Sequence, residues 1–82
     1  FTTSKQMFVK PKSAFDKYVS AAVRKERMAQ RVSQATLAYG IGVSAGFISQ
    51  VESPKSPSKY NLNHINEIAK FLGCSPRDFL PE

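Results

Sequence analysis

The twenty residues from Ser33 to Glu52, SQATLAYGIGVSAGFISQVE, hold two short helices with almost nothing between them. Ser33 is an N-cap residue, and Leu37, Ala38 and Ile41 follow at helical spacing as one apolar stripe. Gly42 ends that helix, because glycine enters the left-handed conformation at a helix C-terminus without a Cβ penalty. Only Val43 separates it from Ser44, a second N-cap, so the connection must be a sharp turn. The next helix is expected from Ala45 to Glu52 and is stopped by Pro54, whose ring nitrogen cannot donate to the preceding turn. Wound at about 100° per residue, it sets Phe47, Ile48 and Val51 on a core side. Ala45, Gly46, Ser49, Gln50 and Ser53 fall on the opposite, small and polar side.

Toward the N-terminus, Ser13 followed by Asp16 forms a capping-box pattern. Phe15, Tyr18, Val19, Ala22 and Val23 then recur as a buried stripe of a helix that fades between Met28 and Arg31. Toward the C-terminus, Ser53 to Lys59 reads as a short basic loop with Pro54 and Pro57. Leu62, Ile65, Ile68, Ala69 and Leu72 mark a fourth helix closed by Gly73. Ser75, Pro76 and Asp78 supply the N-cap, first-turn proline and N3 carboxylate of a short fifth helix carrying Phe79 and Leu80. These last two side chains either close the core under helix four or form a dimer surface. No stretch alternates at period two long enough to require a strand.

A chain of 82 residues holds one domain with a modest core. Residues 1–12 are expected to be a flexible N-terminal extension and residues 13–82 the folded domain. Cys74 is the only cysteine, which excludes an intrachain disulfide or a cysteine-rich zinc cluster, and neither metal nor cofactor is expected. No apolar run approaches the roughly 18 residues of a membrane span, and no signal-peptide pattern opens the chain, so a cytoplasmic protein is the expectation. Enzyme chemistry would have to use His64 and Cys74, the single residues of their kinds. His64 flanks an apolar helix face and Cys74 sits in a post-cap position, both of which suit structural roles, so no catalytic site is expected.

The net charge of +6 favours a polyanionic partner. From Lys5 to Arg31 eight basic residues face only Asp16 and Glu26, which concentrates the excess in the first third of the chain. Arg24 and Arg27 are the candidates there for sequence-independent phosphate contacts. On the exposed side of the third helix, Gln50 is the one long polar side chain, and its amide can pair bidentately with an adenine edge.

The runs Ser33-Gln34-Ala35-Thr36-Leu37-Ala38, Ile41-Gly42-Val43-Ser44 and Phe47-Ile48-Ser49-Gln50-Val51-Glu52 resemble the helix-turn-helix of phage Cro and repressor proteins and their bacterial relatives. Ile68-Ala69-Lys70-Phe71-Leu72-Gly73-Cys74-Ser75 resembles that family's fourth helix and the turn into its fifth, so the likeness covers about Val19 to Leu80. It implies an all-α, five-helix lambda-repressor-like domain that binds double-stranded DNA and regulates transcription, commonly as a homodimer. By the same resemblance Gln34 lies against the DNA backbone and braces the third helix. Ala45, Gly46 and Gln50 match base-reading positions, while Ser44, Phe47 and Ser49 match positions near phosphates or thymine methyls. Lys55, Lys59, Tyr60 and Asn61 are implied backbone contacts.

Three features depart from the family pattern. Glu26 stands at an apolar position; Arg31 stands where glycine is common and gains the chance of a phosphate contact; the loop Ser53 to Tyr60 is about two residues longer than usual. The alternatives to DNA reading are a protein-interaction module on the same fold, against which the basic bias argues, and RNA binding. The narrow A-form major groove would not admit the third helix.

Overall fold

Each helix begins where a side chain supplies a missing backbone partner. In a computed structural model, which describes residues 12–81, four α-helices follow in order: α1 (Ala14–Ala29), α2 (Gln34–Ile41), α3 (Ala45–Glu52) and α4 (Leu62–Leu72). Ser13 and Asp16 form the expected capping box at α1, and the Ser33 and Ser44 hydroxyls accept from Thr36 and Phe47 N–H at 3.0 Å each. Gly42 and Gly73 both take left-handed φ, 76° and 74°, and the following amides of Val43 and Cys74 donate back to Ala38 and Ala69 carbonyls at 3.0 and 2.9 Å. These 6→1 closures satisfy end carbonyls that would otherwise lack partners. No strand occurs among the described residues.

The fifth element is a 3-10 turn, Pro76–Phe79, rather than an α-helix. Its capping box is complete, but extended backbone at Leu80 stops it after four residues. Phe79 is 1% exposed and belongs to the same core cluster as Val23, Leu37, Ile48, Val51 and Ile68. Of the two readings open for this pair, burial in the core holds for Phe79, while Leu80 remains exposed.

α3 packs chiefly on α2, α2 also lies on α4, and the 3-10 turn bridges α1 and α4. The two short helices explain a second difference from expectation. α2 and α3 have eight residues each against sixteen in α1, or about 12 Å against about 24 Å of length. The core cannot cover the first turns of the longer helices. Phe15 and Tyr18 on α1 and Leu62 on α4, all expected in buried stripes, are 54%, 49% and 83% exposed.

Lys12, assigned by sequence to the extension, is part of the fold: it is buried, and its ammonium donates to the Val51 and Ser53 carbonyls. Residues 1–11 of the expected extension lie outside the described residues.

Arg31 is the only non-glycine residue with positive φ among those described, at 59°. Its amide donates to Met28 carbonyl at 3.0 Å as α1 turns into α2. A side chain in this left-handed region is strained by its Cβ, which explains physically why glycine suits the position. Arg31→Gly should stabilise the domain by about 1 kcal/mol, less whatever entropy glycine adds to the unfolded chain, as read by urea denaturation. An unchanged or lower midpoint would show that Arg31 is held without strain.

Candidate nucleic-acid interface

The outward side of α3 is bare and its inward side is fastened at both ends. Ile48 and Val51 are fully buried, whereas Ala45, Gly46, Ser49 and Gln50 are exposed. A Cβ added at Gly46 would meet only Ser44 Oγ, at 3.9 Å, so the fold itself does not require glycine there.

At the C-terminal end, Glu52 gathers three elements. Arg27 of α1 donates to it bidentately, Nε to Oε2 and Nη2 to Oε1 at 2.8 Å each, and Gln34 of α2 donates to Oε1 at 2.9 Å. Arg27 also donates through Nη1 to Val32 carbonyl at 2.7 Å. Both side chains are nearly buried, 10% and 4% exposed, and the hydrogen bond to Glu52 raises the arginine pKa further above its ordinary value. Lys12 then holds the Val51 carbonyl in the last turn of α3 and that of its C-cap Ser53, a placement the helix dipole favours. Burial lowers its pKa, and nearby Asp16 opposes that shift.

At the N-terminal end, Phe47 is half-buried in an aromatic cluster, its ring 5.0 Å from His64 and 6.0 Å from Tyr60. His64 is a structural residue: its Nδ1 accepts Asn61 N–H at 3.1 Å, and the Asn61 side chain accepts His64 N–H at 2.7 Å. Burial drives the Tyr60 phenol well above its ordinary pKa.

The remaining candidates divide accordingly. Arg24 is 56% exposed and lies 3.8 Å from Glu52, and Gln34 is fixed at the start of α2, so these two flank one edge of α3. Ser44 lies at the α3 N-terminus, and Lys55 and Asn61 are exposed in the loop and at the α4 N-cap. Lys59 is exposed but turned to Asp16 on α1, 3.7 Å away. Arg31 is exposed in the α1–α2 turn. Two candidates do not fit the expected backbone contacts. Arg27 is buried against Glu52 because its guanidinium is the carboxylate's main partner, and Tyr60 is buried because its ring completes the aromatic cluster.

Sequence reasoning missed Glu52 as the hub and Lys12 as the cap. A carboxylate in the last turn of a helix opposes the helix dipole, and that was the available signal for a distant cation. Lys12 offered none. Cys74 is half-buried, and burial, with Glu26 and Asp78 nearby, raises its thiol pKa, which suits an inert packing role. Among the described residues no group of three or more His, Cys, Asp or Glu side chains is placed to hold a metal ion, and no helix is long and apolar enough to cross a membrane.

The model of the Cro/C1-type HTH DNA-binding domain matches residues 24–81. The chain belongs to the Cro/C1-type helix-turn-helix family. Within reach of this Cro/C1-type fold, the restriction-modification controller protein C.AhdI from Aeromonas hydrophila is similar at 26% identity and a TM-score of 0.68, over 78% of this chain and 94% of that one. Two structures of hydroxypropylphosphonic acid epoxidase from S. wedmorenis, one in complex with fosfomycin, are similar in fold, with TM-scores of 0.73 and 0.71 at 18% and 19% identity. They match 85% and 84% of this chain, which spans only 36% of each epoxidase, so the likeness concerns one part of a longer enzyme. No curated protein matches the sequence.

Removing one partner of the buried pair leaves the other charge uncompensated. Glu52→Ala should cost this Cro/C1-type domain about 3–5 kcal/mol, a large share of the roughly 5–15 kcal/mol available to a small domain. The pair replacement Arg27→Met with Glu52→Leu should cost less than the two single changes summed. Chemical denaturation of the parent, Arg27→Met, Glu52→Leu and the double variant reads this directly, and additive losses would show that the two side chains act independently.

Proposed function

We propose that the domain reads double-stranded DNA sequence by seating α3 in the major groove, and that it serves as a bacterial or phage transcriptional regulator in the cytoplasm, with no catalytic role and no metal or cofactor. The observation that carries this reading is a helix fastened at both ends whose outward side bears only small or polar residues. The major groove is about 12 Å wide and admits a helix. The controller-protein likeness supports a regulatory role for this chain as well.

In this reading Gln50 contacts a base edge, Ala45 packs on a thymine methyl and Gly46 lets backbone approach backbone. Ser44, Ser49, Gln34, Arg24, Arg31, Lys55, Lys59 and Asn61 are assigned to the phosphate backbone. Phe47 sets the first turn of α3 from behind, and Arg27 and Tyr60 serve the fold. Gel-shift titration against duplex DNA, RNA and competitor separates this reading from RNA binding and from a protein-interaction role. On the preferred duplex, Gln50→Ala should cost about 1–3 kcal/mol per half-site, with non-specific binding and thermal midpoint unchanged. Arg24→Gln should instead weaken all duplexes alike and flatten the salt slope by about 0.9. Equal binding of specific and random DNA by both variants and the parent would reject the reading.

We further propose that two copies bind inverted half-sites about one helical turn apart. Leu80, Phe15 and Leu62 line one crevice and are all exposed, which supports that face as the place where copies meet. Sedimentation equilibrium should show Leu62→Glu weakening self-association. A monomer that binds a single half-site at full affinity would dismiss the dimer.

A further inference from the structure

Gln50 does not stand alone on the outward side of α3. Its Oε1 accepts a hydrogen bond from the Ser58 hydroxyl at 3.2 Å, across the loop that follows the helix. Ser58 is half-buried and braced on both sides. Before it, Ser56 N–H donates to Ser53 carbonyl at 3.3 Å, and Ser58 N–H donates to Ser56 Oγ at 3.1 Å. After it, Lys59 lies 3.7 Å from Asp16 and Tyr60 is buried in the aromatic cluster. Pro57 fixes its own φ and restricts Ser56. The longer loop noted in the sequence thus delivers a hydroxyl to the one long polar side chain of the exposed α3 face.

A glutamine amide carries one acceptor oxygen and a nitrogen with two donor hydrogens. Bidentate pairing with adenine uses both groups, because adenine presents an N7 acceptor beside an N6 donor. Guanine presents two acceptors, N7 and O6, and needs only donors. With Oε1 engaged by Ser58, the Nε2 hydrogens are the part of Gln50 that makes no hydrogen bond among the described residues.

We infer that Ser58 is a specificity-determining positioning residue, which holds the Gln50 amide with its donors outward and biases the contacted base pair toward guanine over adenine. The inference rests on the proposed reading of Gln50 as a base contact. A neutral hydrogen bond of this kind sets the size of the bias at about two- to tenfold.

The test begins with selection from a random duplex library by the parent domain, Ser58→Ala, Ser58→Thr and Gln50→Ala. Fluorescence anisotropy then compares matched duplexes with guanine, adenine or 7-deazaguanine at the Gln50-dependent position. The parent should prefer guanine and lose that preference with 7-deazaguanine. Ser58→Ala should move the guanine-to-adenine ratio toward adenine by about two- to tenfold at an unchanged thermal midpoint, and Ser58→Thr, which keeps the hydroxyl, should restore it. A parent preference for adenine, or an unchanged ratio in Ser58→Ala while Gln50→Ala loses the preference, overturns the role of Ser58 alone. A Gln50→Ala protein that keeps every base preference of the parent overturns the reading of Gln50 and this inference with it.

Discussion

The paired Arg27 and Glu52 side chains set what α3 can show to the outside. Two buried charges are costly to desolvate, and they are tolerated only where geometry and additional hydrogen bonds satisfy them. Here the carboxylate meets the guanidinium fork with both oxygens and takes the Gln34 amide as well, while the remaining guanidinium donor reaches Val32 carbonyl. α1, α2 and α3 therefore meet at one carboxylate. Turning α3 by one residue about its axis would carry Glu52 away from both partners and bring Gln50 toward the place of Val51. The pair thus sets the rotation of the helix more than it adds to the net free energy of folding.

What was legible in the sequence was local. Ser33, Gly42, Ser44 and Gly73 act within a turn of their own position, through caps whose chemistry depends on neighbours a few residues away, and all four occur where their residue types predict. The core side of α3 was equally readable, since Ile48 and Val51 follow from winding alone. Periodicity failed at Phe15, Tyr18 and Leu62 because it reports which side of a helix is apolar and not how far the facing helices extend. It also cannot distinguish a basic residue on a solvated face from one with a distant carboxylate. Arg24 and Arg27 look alike in the sequence, yet one is mostly exposed and the other is nearly enclosed. Tyr60 misled for the opposite reason: its place among polar loop residues hides a ring that packs behind Phe47.

The exposed side of α3 is sparse, and its support is correspondingly elaborate. With alanine and glycine at its first two positions, the helix offers few side-chain donors there. The surrounding groups act mainly by fixing where the helix stands: rings behind Phe47, the carboxylate hub at Glu52 and the ammonium of Lys12. Sites held by packed side chains and satisfied hydrogen bonds need less reorganisation when a ligand arrives.

The Lys12 contact also differs from the others in the length of chain it closes. α2 and α3 face each other across a turn of three residues, Gly42–Ser44, so their mutual contacts are close in sequence, whereas Lys12 reaches Val51 over a separation of 39. Chain closure over such a span costs entropy that the short turn does not require, and local contacts repay their cost sooner. The contacts between α2 and α3 are therefore the cheaper ones to close, and the Lys12 contact is the costlier one. A single long-range contact of this kind can open locally while the contacts between α2 and α3 persist.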